Sequence, residues 1–531
     1  MNEETNVQTE EVRVRGIRNS NEDVVLSPAR ELHGRKQIFT NEKEITAGNV
    51  VAVLNKALMV HHRNRADEVY LEKYLRGVQP ILDRVKQYND YVCNKIVVNI
   101  ANEIVTFKTA EFAGEPIQYV SRGSKKDVPK KIEKLNAMMI SEGKRSKDMD
   151  LAYKMFTYGV AYRLILNDKA KDYINGDLLD EAPFEIYVPD PRNTFVVRLN
   201  DVTKRVVMGV TYVYLSDSEI EYTVYTKDAV YTIKGNELTA GNITNTVIHR
   251  FGMVPMVEYP CNPNYMGAFE VVLPLLDAYN LTTSDRLDGI EQFIQALLVF
   301  EGVDITREQF MELHDLGAIK VPPAMDGRSS KLYYLSEQLD QSQTQTLIDD
   351  LYNTILQIVG MPSQGNGNTS DSSNNGAVIL KNGWWAAESR ALETEGMWRQ
   401  AETEFLKIVL KICGEANDLN GLLVSDVDQK FGRRSYEDKL VKTQSFTTLM
   451  SAGCPPIQAF TVSGMVNDPE AAAIQYENYQ KEKQEEQEAS IQMSLDLERE
   501  RVKNASETED ARPVQSSRLG NKSVNKGSGK T

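Results

Sequence analysis

Hydrophobic positions along this chain change period several times, and each change marks a different kind of element. Residues 1 to about 44 are charged and weakly patterned, which predicts a loosely ordered arm. From Ile45 to about Ile104 the pattern is helical: Tyr70, Tyr74, Ile81, Val85, Tyr88 and Val92 recur at the spacings of one helix face, and NKIVVNIANEIVTF (94–107) extends that face. Residues 150–166 read as a helix running into a strand. Short runs rich in Val, Tyr, Ile and Thr then follow at 184–188, 194–198, 206–214, 221–226 and 229–234, separated by Gly, Asn and Asp. Their connections are too short for helical crossovers, so an antiparallel sheet is expected.

After a proline-broken extended crossing, a helix is expected from Phe269, with Pro274 tolerated near its start. It carries Leu276, Tyr279, Leu287, Ile290 and Ile294 on one face, and a strand follows at 297–300. Residues 301–340 read as a small α/β insertion, with a helix at 306–316 followed by AIKVP and KLYYL. A second helix, 340–359, sets Leu347, Leu351, Ile355 and Ile358 on one face and Gln345, Asp349, Asn353 and Gln357 on another. Between Gly360 and Gly376 the chain runs GMPSQGNGNTSDSSNNG, a polar stretch that cannot build a core. Loops of this length inside a domain are uncommon and tend to be functional or disordered. The longest helical pattern follows, 377–413, with a stripe of Leu380, Trp384, Ala387, Ala391, Trp398, Ala401, Phe405, Val409 and Ile412. It would span about 55 Å, with Gly383 and Gly396 as expected bend points. Short helices broken at AGCPP fill 436–466. Asp468 and Pro469 open a charged helix, and the polar residues from about 504 to 531 are expected to be disordered.

Composition narrows the function more by exclusion than by a motif. The chain has 531 residues and a formal charge of −15, a poor footprint for a protein that grips nucleic acid. That charge does not exclude one through which DNA passes unheld. Four separated cysteines without a CxxC pair argue against a disulfide framework or zinc site. The polar N-terminus and the lack of an apolar run of membrane length lead us to expect a soluble, intracellularly made protein. The terminal KGSGKT imitates a phosphate-binding loop. Val524 stands where that pattern needs glycine, however, and no strand or helix flanks it. Adjacent His61 and His62 point in different directions on a helix and suit a metal poorly. Trp384 and Trp385 could stack on bases, but Trp384 sits on the apolar stripe, so packing is the stronger reading. No metal, cofactor or catalytic set is expected. No Lys or Arg occurs from Leu332 through Leu380, a window spanning the second helix and the whole polar loop.

The order of these parts resembles bacteriophage portal proteins, the ring at the head-to-tail vertex, in the branch of long-tailed phages. The resemblance is carried by NKIVVNIANEIVTFKTAEFAGEPIQY (94–119), YGVAYRLIL (158–166), VPMVEYPCNPNYMGAFEVVLPLLDAYNLTTSDRLDGIEQF (254–293), IVGMPSQGNGNTSDSSNNGAVILKN (358–382) and the DPEAA helix start at Asp468. It implies an α+β portal fold with an N-terminal arm (1–44), a mixed wing (45–265), a first stem helix (266–300), a clip (301–340), a second stem helix (341–360), a tunnel loop (361–375), a long wing helix (376–430), a helical crown (431–480) and a charged helix with a disordered tail (481–531). It further implies a non-enzymatic homo-oligomeric ring of twelve subunits in the virion, assembled in the host cytoplasm, with no membrane contact and no cofactor. Double-stranded DNA would pass without sequence specificity. The other partners would be terminase, the major capsid and scaffolding proteins and a head-completion or adaptor protein. The tunnel loop would present Gln364, Asn366, Asn368, Thr369, Ser370, Asp371 and Asn374 to DNA. The second stem helix would present Gln345, Asp349, Asn353 and Gln357 to the channel, and the clip would offer Glu308, Glu312, Asp326 and Arg328 to partners. The alternatives are another phage structural protein, scaffold or neck, or a packaging ATPase component. The broken phosphate-loop pattern opposes the last.

Overall fold

The computed structural model describes residues 24–25, 34–86, 92–122, 127–167, 173–174, 177–178, 182–216, 219–235, 238–249, 251–294, 297–301, 331–335, 341–362, 384–415, 419–432, 439–466 and 469–509. The chain is α+β and divides into two units, residues 1–438 and 439–531. The tunnel-loop residues Gln364 to Asn374, the clip residues Glu308, Glu312, Asp326 and Arg328, the expected helix at 306–316, Leu380, Gly383 and the KGSGKT end lie outside the described residues.

In the first unit, β1 (Val24–Val25), β2 (Ile38–Thr40), α1 (Val50–Leu75), β3 (Val85–Lys86), α2 (Ile100–Ala113), β4 (Gln118–Ser121), α3 (Val128–Ser141) and α4 (Lys144–Tyr158) come first. Strands β5 (Val160–Leu166), β6 (Tyr173–Ile174), β7 (Asp177–Leu178), β8 (Glu185–Tyr187), β9 (Thr194–Leu199), β10 (Val206–Ser216), β11 (Glu219–Tyr225), β12 (Ala229–Lys234), β13 (Ile243–Ile248) and β14 (Met256–Pro260) follow. Four of the five expected runs form one antiparallel sheet, β9 to β12; the fifth, 184–188, is β8 of a separate sheet, and the unforeseen β13 and parallel β2 complete the order β13-β12-β11-β10-β9-β2. Alternation along β9 sorts its side chains between two layers. Phe195 and Val197 pack under α1 with Val50, Leu54 and Met208, while Val196 packs with Val160, Tyr162 and Met256 of the second sheet, β14-β5-β8.

Two readings of the sequence are corrected here. The N-terminal arm does not stay loose up to residue 44, because Ile38 is buried in β2 and the Arg35 guanidinium is buried on Glu270 at 2.7 Å. Nor is 45–104 one helical run. The chain leaves α1 through Gly77, at φ +88°, and Pro80 then opens a 3-10 turn, so Ile81 and Val85 are not on a continued helix face. Gly suits that left-handed backbone, and Pro lacks the N–H a continuing helix needs. Residues 94–98 are not helical, the Ile100 amide turns back to Val98 O at 2.8 Å, and α2 starts where the Asn99 side chain accepts from the Asn102 amide.

The second half of the unit contains α5 (Leu273–Ile294), the β15 (Leu297–Glu301) and β16 (Lys331–Leu335) antiparallel pair, α6 (Gln341–Val359), α7 (Trp384–Glu415) and β17 (Val427–Lys430), which pairs with β4. The stripe read for α7 holds: Ala387, Ala391, Trp398, Ala401, Phe405, Val409 and Ile412 are all buried. Trp384 packs 6.0 Å from the Phe107 ring, and the helix is continuous through Gly396. This stripe, α2, α4, the start of α5 and the end of α6 share the largest core. His61 belongs to the core as well, stacked on Phe195 and bonded to Tyr212.

In the second unit, α8 (Lys439–Ser451) and α9 (Pro456–Ser463) are separated at AGCPP, with Gly453 at φ +80°. Phe446 stacks on Phe460 at 4.5 Å. Helix α10 (Pro469–Glu509) is largely solvent-exposed from Glu477 to Arg499, and it continues five residues beyond Asn504, where disorder is expected from the sequence.

Candidate channel-facing helix pair

Helices α5 and α6 are the arms of a hairpin whose distal end is the β15–β16 pair. Tyr279 and Tyr352 meet across it with ring centroids 6.2 Å apart. The buried face of α6 is Ile348, Ile355, Leu356 and Val359. That is a rotation from the expected stripe: Ile355 remains buried, but Leu347 is 50% and Ile358 42% exposed. Asp349, Asn353 and Gln357 are exposed, as expected of a polar face. Gln345 is half-buried and already bonded: it accepts from the Arg286 guanidinium of α5 and donates to Asp349 at 2.7 Å. Steps of four residues advance about 40° beyond a full turn. The row therefore winds from the α5 contact at Gln345 to open surface at Gln357.

The attachment of α5 to the wing uses residues the sequence did not single out. The segment 94–98 has backbone amides with no strand beside them. Asn280 accepts from Val98 N at 2.9 Å, Ser284 from Ile96 N at 3.0 Å, and Asp288 from Asn94 N at 2.7 Å. Four helical residues rise about 6 Å, close to the rise of two strand residues. One polar row on a helix thus replaces a partner strand. The same end carries buried Arg84, which pairs with Asp285 and, at 2.9 Å, with Asp288. Lys86 reaches Asp288 at 2.5 Å, and Tyr74 donates to Asp277 at 2.8 Å. The available signal was the recurrence of polar residues at i, i+4 and i+8 along α5, Asn280, Ser284 and Asp288.

The near flank of the polar loop is held, and so is α7, where the described chain resumes. Gly360, at φ +71°, ends α6, and the Met361 amide returns to Leu356 O at 2.8 Å. A Cβ on Gly360 would lie 2.6 Å from Arg390 Cγ, so the end of α6 lies directly on α7. Helix α7 is in turn fixed by Glu402, fully buried among Arg163 (2.9 Å), Lys144 (2.9 Å), Tyr259 (2.8 Å) and Tyr119 (2.5 Å). Asp148 completes the cluster by pairing with Arg163 and, at 2.5 Å, with Lys144. Burial alone would raise the Glu402 pKa, but Arg163 and Lys144 hold it at about 2. Two cations and two anions balance, so the cluster is neutral inside the core.

Residues 59–489 match the family described as phage portal protein, SPP1 Gp6-like. The chain belongs to that family. Portal proteins of this kind are structural rather than enzymatic components of the phage particle and form an oligomeric ring with the capsid. Among solved structures, a chain from the "Virion of native gene transfer agent (GTA) particle" aligns at 10% identity and a TM-score of 0.38, covering 76% of this chain and 94% of that one. No curated protein matches the sequence. No helix among the described residues of this portal protein is long and apolar enough to cross a membrane.

Proposed function

We propose that the chain forms a ring of twelve subunits at the capsid vertex, through which double-stranded DNA is packaged and later ejected. Residues 45–265 form the wing, 266–300 and 341–360 the stem, 301–340 the clip, 361–375 the tunnel loop, 376–430 the wing helix and 431–480 the crown. The clip, through Glu308, Glu312, Asp326 and Arg328, docks terminase first and head-completion or tail proteins afterwards. Asp349, Asn353 and Gln357 face the channel. Gln364, Asn366, Asn368, Thr369, Ser370, Asp371 and Asn374 touch DNA, and Gln345 orients Asp349 from behind.

The observation that carries this reading is the window from Leu332 through Leu380, which has no Lys or Arg. A sleeve must confine the duplex and let it slide. Neutralising about 6–10 phosphates with cations makes affinity change by roughly 10³–10⁵ across ordinary salt concentrations, and a ring would multiply each such contact by its copy number. Amide and hydroxyl contacts to phosphate position DNA without reading sequence. Changing Asn366 and Asn368 together to Arg is therefore expected to leave annular particles intact in electron micrographs while reducing packaged DNA and infectivity. Normal packaging by rings carrying both arginines would sink the assignment.

A further inference from the structure

One end of the six-stranded sheet, at the β9–β10 and β11–β12 connections, together with β14 and the middle of α7, encloses an open groove of about 630 Å³. Its floor is apolar, from Met253, Val254, Met256, Met397 and Ile408. Its rim is cationic. Arg198 is committed to Glu258, and Lys227 to Glu44 at 2.7 Å. Glu404, the remaining acid at the rim, is paired with Lys407 at 2.6 Å. Lys43, Lys204 and Arg205 remain exposed, with no ion pair within 4.0 Å among the described residues, although Arg205 also acts at longer range on Glu44. The lining as a whole carries five Lys or Arg against three Glu, a local positive excess on a chain of charge −15.

We propose that this groove docks the chain's own acidic N-terminal segment, residues 2–11. That segment carries Glu3, Glu4, Glu10 and Glu11, and the first basic residue after it is Arg13. Val7 supplies an apolar group for the methionine-lined floor. The chain leads from this segment back to the groove. Gln37 and Lys43, just after the arm, line the groove themselves. Upstream, Val24–Val25 pairs with Val85–Lys86. The dozen residues between Glu11 and Val24 can span about 40 Å. A short tether raises the local concentration to the millimolar range, so a weak, salt-sensitive contact is enough.

Hydrogen exchange read by mass spectrometry on the full-length chain tests this. Residues 2–11 are expected to exchange about tenfold more slowly than the same sequence as a free peptide, which corresponds to about nine-tenths docked. Lys43→Glu with Arg205→Glu should abolish that protection, and adding Glu10→Lys with Glu11→Lys should restore it. Both groove positions are exposed, and unchanged exchange in β5 and β14 would show that the fold is intact. Lys43→Gln with Arg205→Gln is the milder pair should the reversal disturb the fold. Free-peptide exchange of residues 2–11 in the parent chain would overturn the proposal. So would protection indifferent to the charge reversals, or groove protection lost on reversal while residues 2–11 exchange freely. The last result would place a different acidic segment there.

Discussion

Replacing Glu402 by Ala isolates what the buried cluster does for α7. Glu402 is fully buried and is the acceptor shared by Arg163, Lys144, Tyr119 and Tyr259. Its loss leaves two buried cations facing one carboxylate, Asp148. Removing one partner of a buried pair costs about 3–5 kcal/mol, and each orphaned tyrosine hydroxyl adds about 1–3 kcal/mol where water cannot reach it. These costs overlap, so we expect a loss of about 4–6 kcal/mol rather than their sum. Arg163→Met in the same chain removes the surplus cation, leaving Lys144 with Asp148. The double variant should recover about 2–3 kcal/mol relative to additivity. The assay is urea unfolding followed by tryptophan fluorescence, because Trp398 lies 4.8 Å from Tyr259 and within 5.9 Å of the Arg163 guanidinium. A Glu402→Ala loss below about 1 kcal/mol, or strict additivity with Arg163→Met, would refute the view that this network fixes α7. Acid gives a second reading: with the folded pKa at about 2, below the ordinary 4.5, the stabilisation is present above about pH 4.5 and disappears as pH falls through 2.

Other expectations follow from single contacts. Glu68 on α1 is buried, and burial raises its pKa from 4.5 to about 8. Its contribution is full below pH 4.5 and falls as pH rises toward 8, by a ceiling of about 5 kcal/mol. Glu68→Gln should therefore raise the melting temperature at pH 8 and leave it nearly unchanged at pH 4.5; equal shifts at both would contradict this. Asp288→Ala should cost more than Asn280→Ala or Ser284→Ala, by about 2 kcal/mol in chemical denaturation, because Asp288 carries Arg84 and Lys86 as well as the Asn94 amide. Gly360→Ala should lower stability by about 1–2 kcal/mol through its left-handed backbone, and Arg390→Ala in the same chain should return only the part due to the 2.6 Å contact.

The parts of the fold that were legible in sequence are those where one local period decides the outcome. Strands β9 to β12 alternate and are joined by tight polar turns, and α7 buries one stripe along its whole length. Where the outcome depended on a distant partner, the sequence was silent. Strand β2 is three residues long and is a strand only because β9 lies beside it. Residues 94–98 carry an apolar pattern that fits a helix, yet they are not helical, because the polar row of α5 accepts their amides. The α6 stripe failed for a related reason. Leu347 and Ile348 are neighbours 100° apart on a helix wheel, and periodicity cannot tell which row a neighbouring helix will cover.

That rotation bears on the channel reading. With Ile348, Ile355 and Val359 turned into the core, Leu347 and Ile358 lie exposed on α6 together with Asp349, Asn353 and Gln357. Scattered exposed aliphatic side chains are ordinary on a protein surface, but a closed ring supplies a use for these two, because each subunit meets its two neighbours through different surfaces. On the proposed channel reading, the polar positions take the DNA side and the two aliphatic ones the inter-subunit side. On a helix wheel Ile358 lies about 20° from Leu347, whereas Asp349, Asn353 and Gln357 lie about 200°, 240° and 280° round from it, so the two sets occupy different sides of one helix. Leu347→Asp should then shift the assembly toward smaller species in analytical ultracentrifugation, whereas Asn353→Asp should leave ring size unchanged. If the two substitutions affected assembly alike, the division of α6 into a channel face and a subunit face would be wrong.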